Sequence, residues 1–175
     1  NLVMVVKRWS EHRPLMIRTK RDDVMPIYQA PIRDYQFVLN ELLNIYQQDE
    51  LKGFDEFDPE LIDAVLQGVA DFTTDIMLPL NGSGDVEGCR LVDGKVITPQ
   101  GFIDAYQQYV DNGWATLTCD PEFGGQGLPE VVGVFATEMK TSTNMAFAMY
   151  PGLTHGAYAA IHTHGSDDLK SKYLE

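Results

Sequence analysis

A chain of 175 residues with 44% apolar side chains is long enough to bury one sizeable core, and it has the composition of an ordinary globular domain. Its formal net charge of -13 argues against a nucleic-acid partner, because phosphate binding needs clustered Lys and Arg, and no apolar run approaches membrane-spanning length. Cys89 and Cys119 are too few and too far apart for a disulfide framework or a zinc knuckle, so they read as reduced, cytoplasmic thiols.

The charge is unevenly spread. Residues 1–24 carry six Lys or Arg against three acids, whereas the remainder carries seven against twenty-three. This first segment shows no sustained period, and Met25-Pro26 then opens a stretch of helical character. Residues 1–24 are therefore expected to be a basic extension, disordered or non-native, with Met25 as the natural start and 25–175 as one domain. The run Leu2 to Val6 is too short for the apolar region of a signal peptide. The closing "SDDLKSKYLE" reads as a helix still being written, so the chain is expected to be a piece of a longer protein.

In "DYQFVLNELLNIYQQ", Val38, Leu42, Ile45 and Tyr46 stand at helical spacing behind Asp34, predicting a helix over 34–48 capped by that aspartate. The acidic loop "DELKGFDEF" lacks the alternating ligands and closing Glu of a calcium loop. Asp58-Pro59 opens a second helix, striped by Ile62, Val65, Val69, Phe72 and Ile76 and expected to end at Pro79 and Asn81-Gly82. Residues 80–97 then read as a hairpin-like excursion around Asp93-Gly94, in which Gly82-x-Gly84 is no phosphate loop because no Gly-Lys-Ser/Thr follows.

Thr98-Pro99 predicts a third helix with Phe102, Tyr106, Tyr109 and Val110 on its apolar face, stopped by Asn112-Gly113. "WATLTC" (114–119) reads as a short extended piece. It leads into "PEFGGQGLP" (121–129), where three glycines in four residues call for a conformational reason. Beyond Pro129, Val132, Phe135, Ala136 and Met139 share one face of a long helix with few charges, predicted to be buried nearly all round and broken at Pro151-Gly152. A further helix runs to His164, Gly165 caps it, and Ser166 opens the last piece. With alternating patterns scarce, the fold class is all-α, a bundle-like helical domain.

Chemistry is harder to find. His155 and His162 share a helical face, but His164 lies about 200° from His162 and no carboxylate stands at ligand spacing, which disfavours a metal site. Cys119 has no local base partner and reads as a core thiol, while the acids around Asp55 and Asp85 read as solvated.

The ordered series "MPIYQAPIRDYQFVLNELL" (25–43), "GDVEGCRL" (84–91), "VITPQGFIDAY" (96–106), "GWATLTCDPEFGGQGLP" (113–129) and "HGSDDLKSKYL" (164–174) resembles the acyl-CoA dehydrogenase family. The first three stretches are similar to its long branch that includes 3-methylmercaptopropionyl-CoA dehydrogenase. The resemblance implies an FAD flavoenzyme converting an acyl-CoA thioester to the trans-2-enoyl-CoA, with a glutamate base and most flavin contacts outside these residues. No catalytic residue is assigned in this chain, and the fragment alone is expected to be inactive. The resemblance also implies an electron-transfer flavoprotein as acceptor and a homodimer or homotetramer. It places Phe147, Met149, Tyr150, Leu153 and Thr154 nearest the acyl chain, as substrate-binding residues. A stand-alone helical binding or assembly module without flavin, and an acyl-CoA oxidase, remain alternatives.

Overall fold

The computed structural model describes residues 27–48 and 58–174. The basic extension, the start at Met25 and the acidic loop with Asp55 lie outside the described residues. In chain order the architecture is α1 (Ile32–Phe37) with a wider π-turn at Val38–Leu42, α2 (Pro59–Phe72), a second π-turn at Thr73–Met77, and α3 (Leu78–Glu87). There follow the strands β1 (Arg90–Val92) and β2 (Lys95–Ile97), then α4 (Phe102–Asp111), α5 (Glu130–His164) and α6 (Asp167–Tyr173). The all-α reading holds, with one small antiparallel hairpin added.

The first helix begins earlier than its sequence signal. Pro31, with φ already near the helical value, precedes Ile32, and its carbonyl accepts the amides of Asp34 and Tyr35, so Asp34 sits in the first turn and caps nothing. Its end also differs. Leu43 N–H reaches the Val38 carbonyl across the π-turn, and Asn44 then turns left-handed at φ 48, which rolls the buried stripe to Tyr35, Leu39 and Ile45 and leaves Leu42 66% exposed.

Asp58 and Pro59 open α2 as expected: the carboxylate accepts the Glu60 amide at 2.9 Å and proline takes the first helical position. Ile62, Val69 and Phe72 are buried, joined by Leu66 and Ala70, while Val65 and Ile76 are half-buried. Helix does not stop at Pro79. The π-turn absorbs one extra residue, with Leu78 N–H on the Thr73 carbonyl, so that Pro79 falls in the first turn of a renewed helix where its missing donor is not needed. Helix then continues through Asn81 and Gly82 to Glu87. Gly84 lets α3 lie against α4, since a Cβ there would stand 2.7 Å from the Phe102 ring.

The hairpin is accordingly shorter than predicted, covering 90–97. Asp93 (φ 50) and Gly94 (φ 77) form the doubly left-handed turn that suits strand twist. α4 is not capped by Thr98-Pro99; Gly101 at φ 86 turns the chain into it, and Phe102, Ala105 and Tyr109 form the buried face while Tyr106 and Val110 remain partly exposed. Residues 114–119 are successive turns, not an extended piece, with Thr116 N–H on the Gly113 carbonyl and Cys119 N–H on the Thr116 carbonyl, both at 3.2 Å.

α5 organises the core. Its first arm buries Val132, Phe135, Ala136 and Met139 against α1 and α2, with Tyr35 and Phe135 stacked at 4.4 Å between centroids. It is not buried all round, since Val134 is 61% exposed. The break predicted at Pro151 occurs instead at Asn144 (φ -156, ψ 88), and helix runs on through a buried Pro151. The cause is side-chain chemistry. Thr143 Oγ1 donates to the Met139 carbonyl at 2.9 Å at the end of the first arm, and Asn144 Oδ1 accepts the Phe147 amide at 2.9 Å as the N-cap of the second. Asn144 Nδ2 also donates to the Met77 carbonyl at 3.1 Å, fixing the elbow against the second π-turn. Beyond the elbow Phe147 enters a second core cluster with Phe72, Met77, Phe102 and Tyr109.

Candidate functional site

The glycine loop folds back on its own chain. Gln126 and Leu128 donate to the carbonyls of Thr116 and Leu117, and Gly127 to that of Cys119. Gly125 lies so close that an added Cβ would collide with the Cys119 carbonyl, while Gly124 (φ 78) and Gly127 (φ 66) supply left-handed turns. The three glycines are thus explained by close packing and by backbone conformation.

The loop is clamped to the second arm of α5. Asp120 caps the short turn 121–123 by accepting the Glu122 amide at 2.9 Å, and its own N–H donates to the Tyr158 hydroxyl at 2.7 Å. His162 Nε2 stands 3.0 Å from Asp120 Oδ2, with the imidazole stacked on Tyr158 at 5.3 Å and edge-on to Phe123 at 5.9 Å. The Glu122 amide, followed by His162, holds the Asp120 carboxyl below the usual carboxylate range. His155 also stacks on Tyr158, at 6.1 Å between centroids, while His164 is exposed at the helix end. Among the described residues no three His, Cys, Asp or Glu side chains come together as a metal site would require.

Between the two arms of α5 and the turns at 114–118 lies a cavity of about 330 Å³. Its walls are mainly apolar, from Trp114, Leu117, Ala136, Ala148 and Pro151, with Tyr109, Thr118, Glu130, Thr137, Lys140 and His155 as polar members. Lys140 donates to the Tyr109 hydroxyl at 3.2 Å and lies 5.3 Å from the centre of that ring. Burial depresses the lysine and raises the phenol. Cys119 is a buried thiol, pushed up by burial and then by Glu130, and is unsuited to act as a nucleophile. Asp85 is exposed, in keeping with a solvated acid.

The residues placed nearest an acyl chain divide. Phe147 is 1% exposed and points into the aromatic cluster with Phe102 and Tyr109. Met149, Tyr150, Leu153 and Thr154 are exposed on the second arm, where Met145, Met149 and Leu153 make an apolar stripe at steps of four, with Leu153 at 78% exposure. Sequence reasoning did not single out Lys140 or the Asp120–Tyr158–His162 clamp. Asp120-Pro121 repeats the Asp-Pro opening seen at Asp58-Pro59, and Tyr158 and His162 stand four apart on one helical face, so a local signal existed for the clamp. Lys140 had none, because its cavity is assembled by the bend at Asn144.

The chain is a mostly helical domain whose long bent helix leaves an apolar stripe on its second arm exposed among the described residues. Residues 92–175 match the family described as acyl-CoA dehydrogenase, N-terminal domain. The chain is 41% identical over 148 residues to 3-methylmercaptopropionyl-CoA dehydrogenase of Ruegeria pomeroyi, covering 85% of this chain and 25% of that protein. It is 28% identical over 151 residues to butyryl-CoA dehydrogenase of Syntrophomonas wolfei, covering 84% and 25%. Residues 92–175 thus carry the match to the acyl-CoA dehydrogenase N-terminal domain, and the chain spans about a quarter of the length of these curated relatives.

The dinucleotide that this family implies carries a diphosphate, which calls for converging cationic or main-chain donors. The described cations, Arg33, Arg90, Lys95, Lys140, Lys170 and Lys172, are dispersed over α1, the hairpin, α5 and α6. The described Lys and Arg side chains therefore bring no cationic cluster together for a diphosphate. Among them, no helix is long and apolar enough to cross a membrane.

Proposed function

We propose that the complete protein is an FAD-dependent acyl-CoA dehydrogenase, in which residues 25–175 form the amino-terminal helical domain and residues 1–24 are a basic extension outside it. The reaction is α,β-dehydrogenation of an acyl-CoA thioester to the trans-2-enoyl-CoA, with the base that removes the α-proton supplied from outside this chain. FAD, when bound by the complete protein, supplies the acceptor for the β-hydride. The reading includes an electron-transfer flavoprotein as the next acceptor, a homodimer or homotetramer, and a cytoplasmic location.

The match to the acyl-CoA dehydrogenase N-terminal domain, together with the uncovered stripe on the second arm of α5, carries this reading. Met149 and Leu153 expose an apolar wall edged by the hydroxyl-bearing Tyr150 and Thr154, suited to flanking an alkyl chain and excluding water from it. Phe147 contributes from behind, fixing the arm through its contacts with Phe102 and Tyr109.

The test is an absorption spectrum of the purified product of the complete gene, with intact mass measured on the same sample. A bound-flavin band that bleaches anaerobically when acyl-CoA is added is the expected result. A protein that stays colourless after reconstitution with FAD would overturn the reading.

A further inference from the structure

The cavity inside the bend of α5 has a feature that an alkyl chain alone does not call for. Its walls are mainly apolar, with Thr118, Thr137 and His155 as polar members, and Lys140 of the first arm lines the same space as Ala148, Pro151 and His155 of the second. Burying an ammonium group among apolar atoms is unfavourable unless a counter-charge meets it. Among the described residues no carboxylate lies within salt-bridge distance of Lys140; its hydrogen-bond partner is the Tyr109 hydroxyl, which satisfies one of three ammonium donors. Glu130 also borders the cavity but stands ten positions earlier, about 15 Å along the same helix at 1.5 Å per residue. Tyr109 occupies the flank of the lysine, with the ammonium 5.3 Å from its ring centre, so the remaining donors can turn to the cavity.

We infer that Lys140 is a specificity-determining residue, and that the cavity takes the far end of an acyl group carrying a terminal carboxylate. The inference rests on the acyl-CoA reading given above. At about 330 Å³ the space is at the small end of the roughly 300–1,000 Å³ typical of ligand pockets, which suits the tail of a chain and not a whole thioester. The methylenes nearer the thioester follow the outward Met149–Leu153 face and the far ones turn past Gly152 against Leu117, Ala136 and Pro151, where the carboxylate meets Lys140 Nζ with the Tyr109 hydroxyl beside it. A half-buried cation held in place before binding favours a carboxylate, because a methyl terminus would displace water from its donors and leave them unpaired.

The experiment compares hexanoyl-CoA with adipoyl-CoA, which have the same chain length and differ in the terminal carboxylate, using the full-length flavin-loaded enzyme. The expected wild-type kcat/KM favours adipoyl-CoA by about tenfold or more, and Lys140→Met brings the ratio to unity or below. A wild-type preference for hexanoyl-CoA overturns the inference without recourse to any variant, as does a ratio that Lys140→Met leaves unchanged. If neither thioester bleaches the flavin, the acyl-CoA reading itself fails, and calorimetric titration with adipate then judges the cavity alone. Saturable binding weakened about tenfold or more in Lys140→Met sustains the carboxylate site; equal or absent binding removes it.

Discussion

The Tyr158 hydroxyl accepts the backbone N–H of Asp120 at 2.7 Å, joining the base of the glycine loop to the far arm of the longest helix across 38 residues of sequence. The contact is half-buried and local to the loop. Removing the acceptor in Tyr158→Phe is expected to lower stability by about 1 kcal/mol, the net worth of one such bond. Amide hydrogen exchange should accelerate at 120–127 and remain unchanged in α2; uniform acceleration across the chain would refute a local clamp.

Gly125 is expected to tolerate no side chain. In Gly125→Val the added carbons would meet the Cys119 carbonyl, and relieving that collision must break the bonds by which Gly127 and Leu128 return to 117–119. Overpacking of this kind costs about 1–3 kcal/mol, so the soluble yield of the full-length protein should fall and its thermal midpoint drop. An unchanged midpoint would contradict the close approach.

Asn144 holds both sides of the α5 elbow, donating to Met77 and accepting from Phe147 while buried. Asn144→Leu keeps the approximate volume but removes both bonds and leaves the buried Phe147 amide unpaired, while the Met77 carbonyl keeps its place at the head of α3. The expected loss is about 1–3 kcal/mol, the cost of one buried orphan. Urea denaturation reads it directly, and a loss below about 0.5 kcal/mol would mean that the elbow is set by packing alone.

The Asp120 carboxyl titrates lower in the folded chain than in the unfolded one, held chiefly by the Glu122 amide and then by His162. Its stabilising contribution is therefore complete above the ordinary value of 3.8 and is lost as pH falls through the lower folded value. Asp120→Asn retains an oxygen for the Glu122 amide but not the charge. Below pH 4 the thermal midpoint of the variant should fall less steeply than that of the wild type, and parallel profiles would exclude Asp120 as a source of acid sensitivity.

Residues 25–175 produced alone are expected to associate, because Met145, Met149 and Leu153 form an exposed apolar stripe. Static light scattering should report oligomers that Leu153→Glu reduces. A monomer at high concentration in the unmodified chain would show that the stripe is not adhesive.

Local chemistry decided much of this protein in advance. Asp58-Pro59 starts a helix, Asp93-Gly94 turns a hairpin, Ser166 caps α6 and the Val132–Met139 stripe is buried, because each depends on groups a few residues apart. The family resemblance likewise was legible in short ordered motifs. What tertiary structure decided are the points where a local signal met a stronger distant partner. Pro79 failed to end a helix because a π-turn took up the register, and Pro151 lies within helix while Asn144, bonded to Met77 from 67 positions away, makes the bend. Lys140 is an ordinary surface residue in sequence. Only that bend encloses it in an apolar cavity, because desolvation depends on which surfaces the fold brings together and not on the residues beside it in the chain.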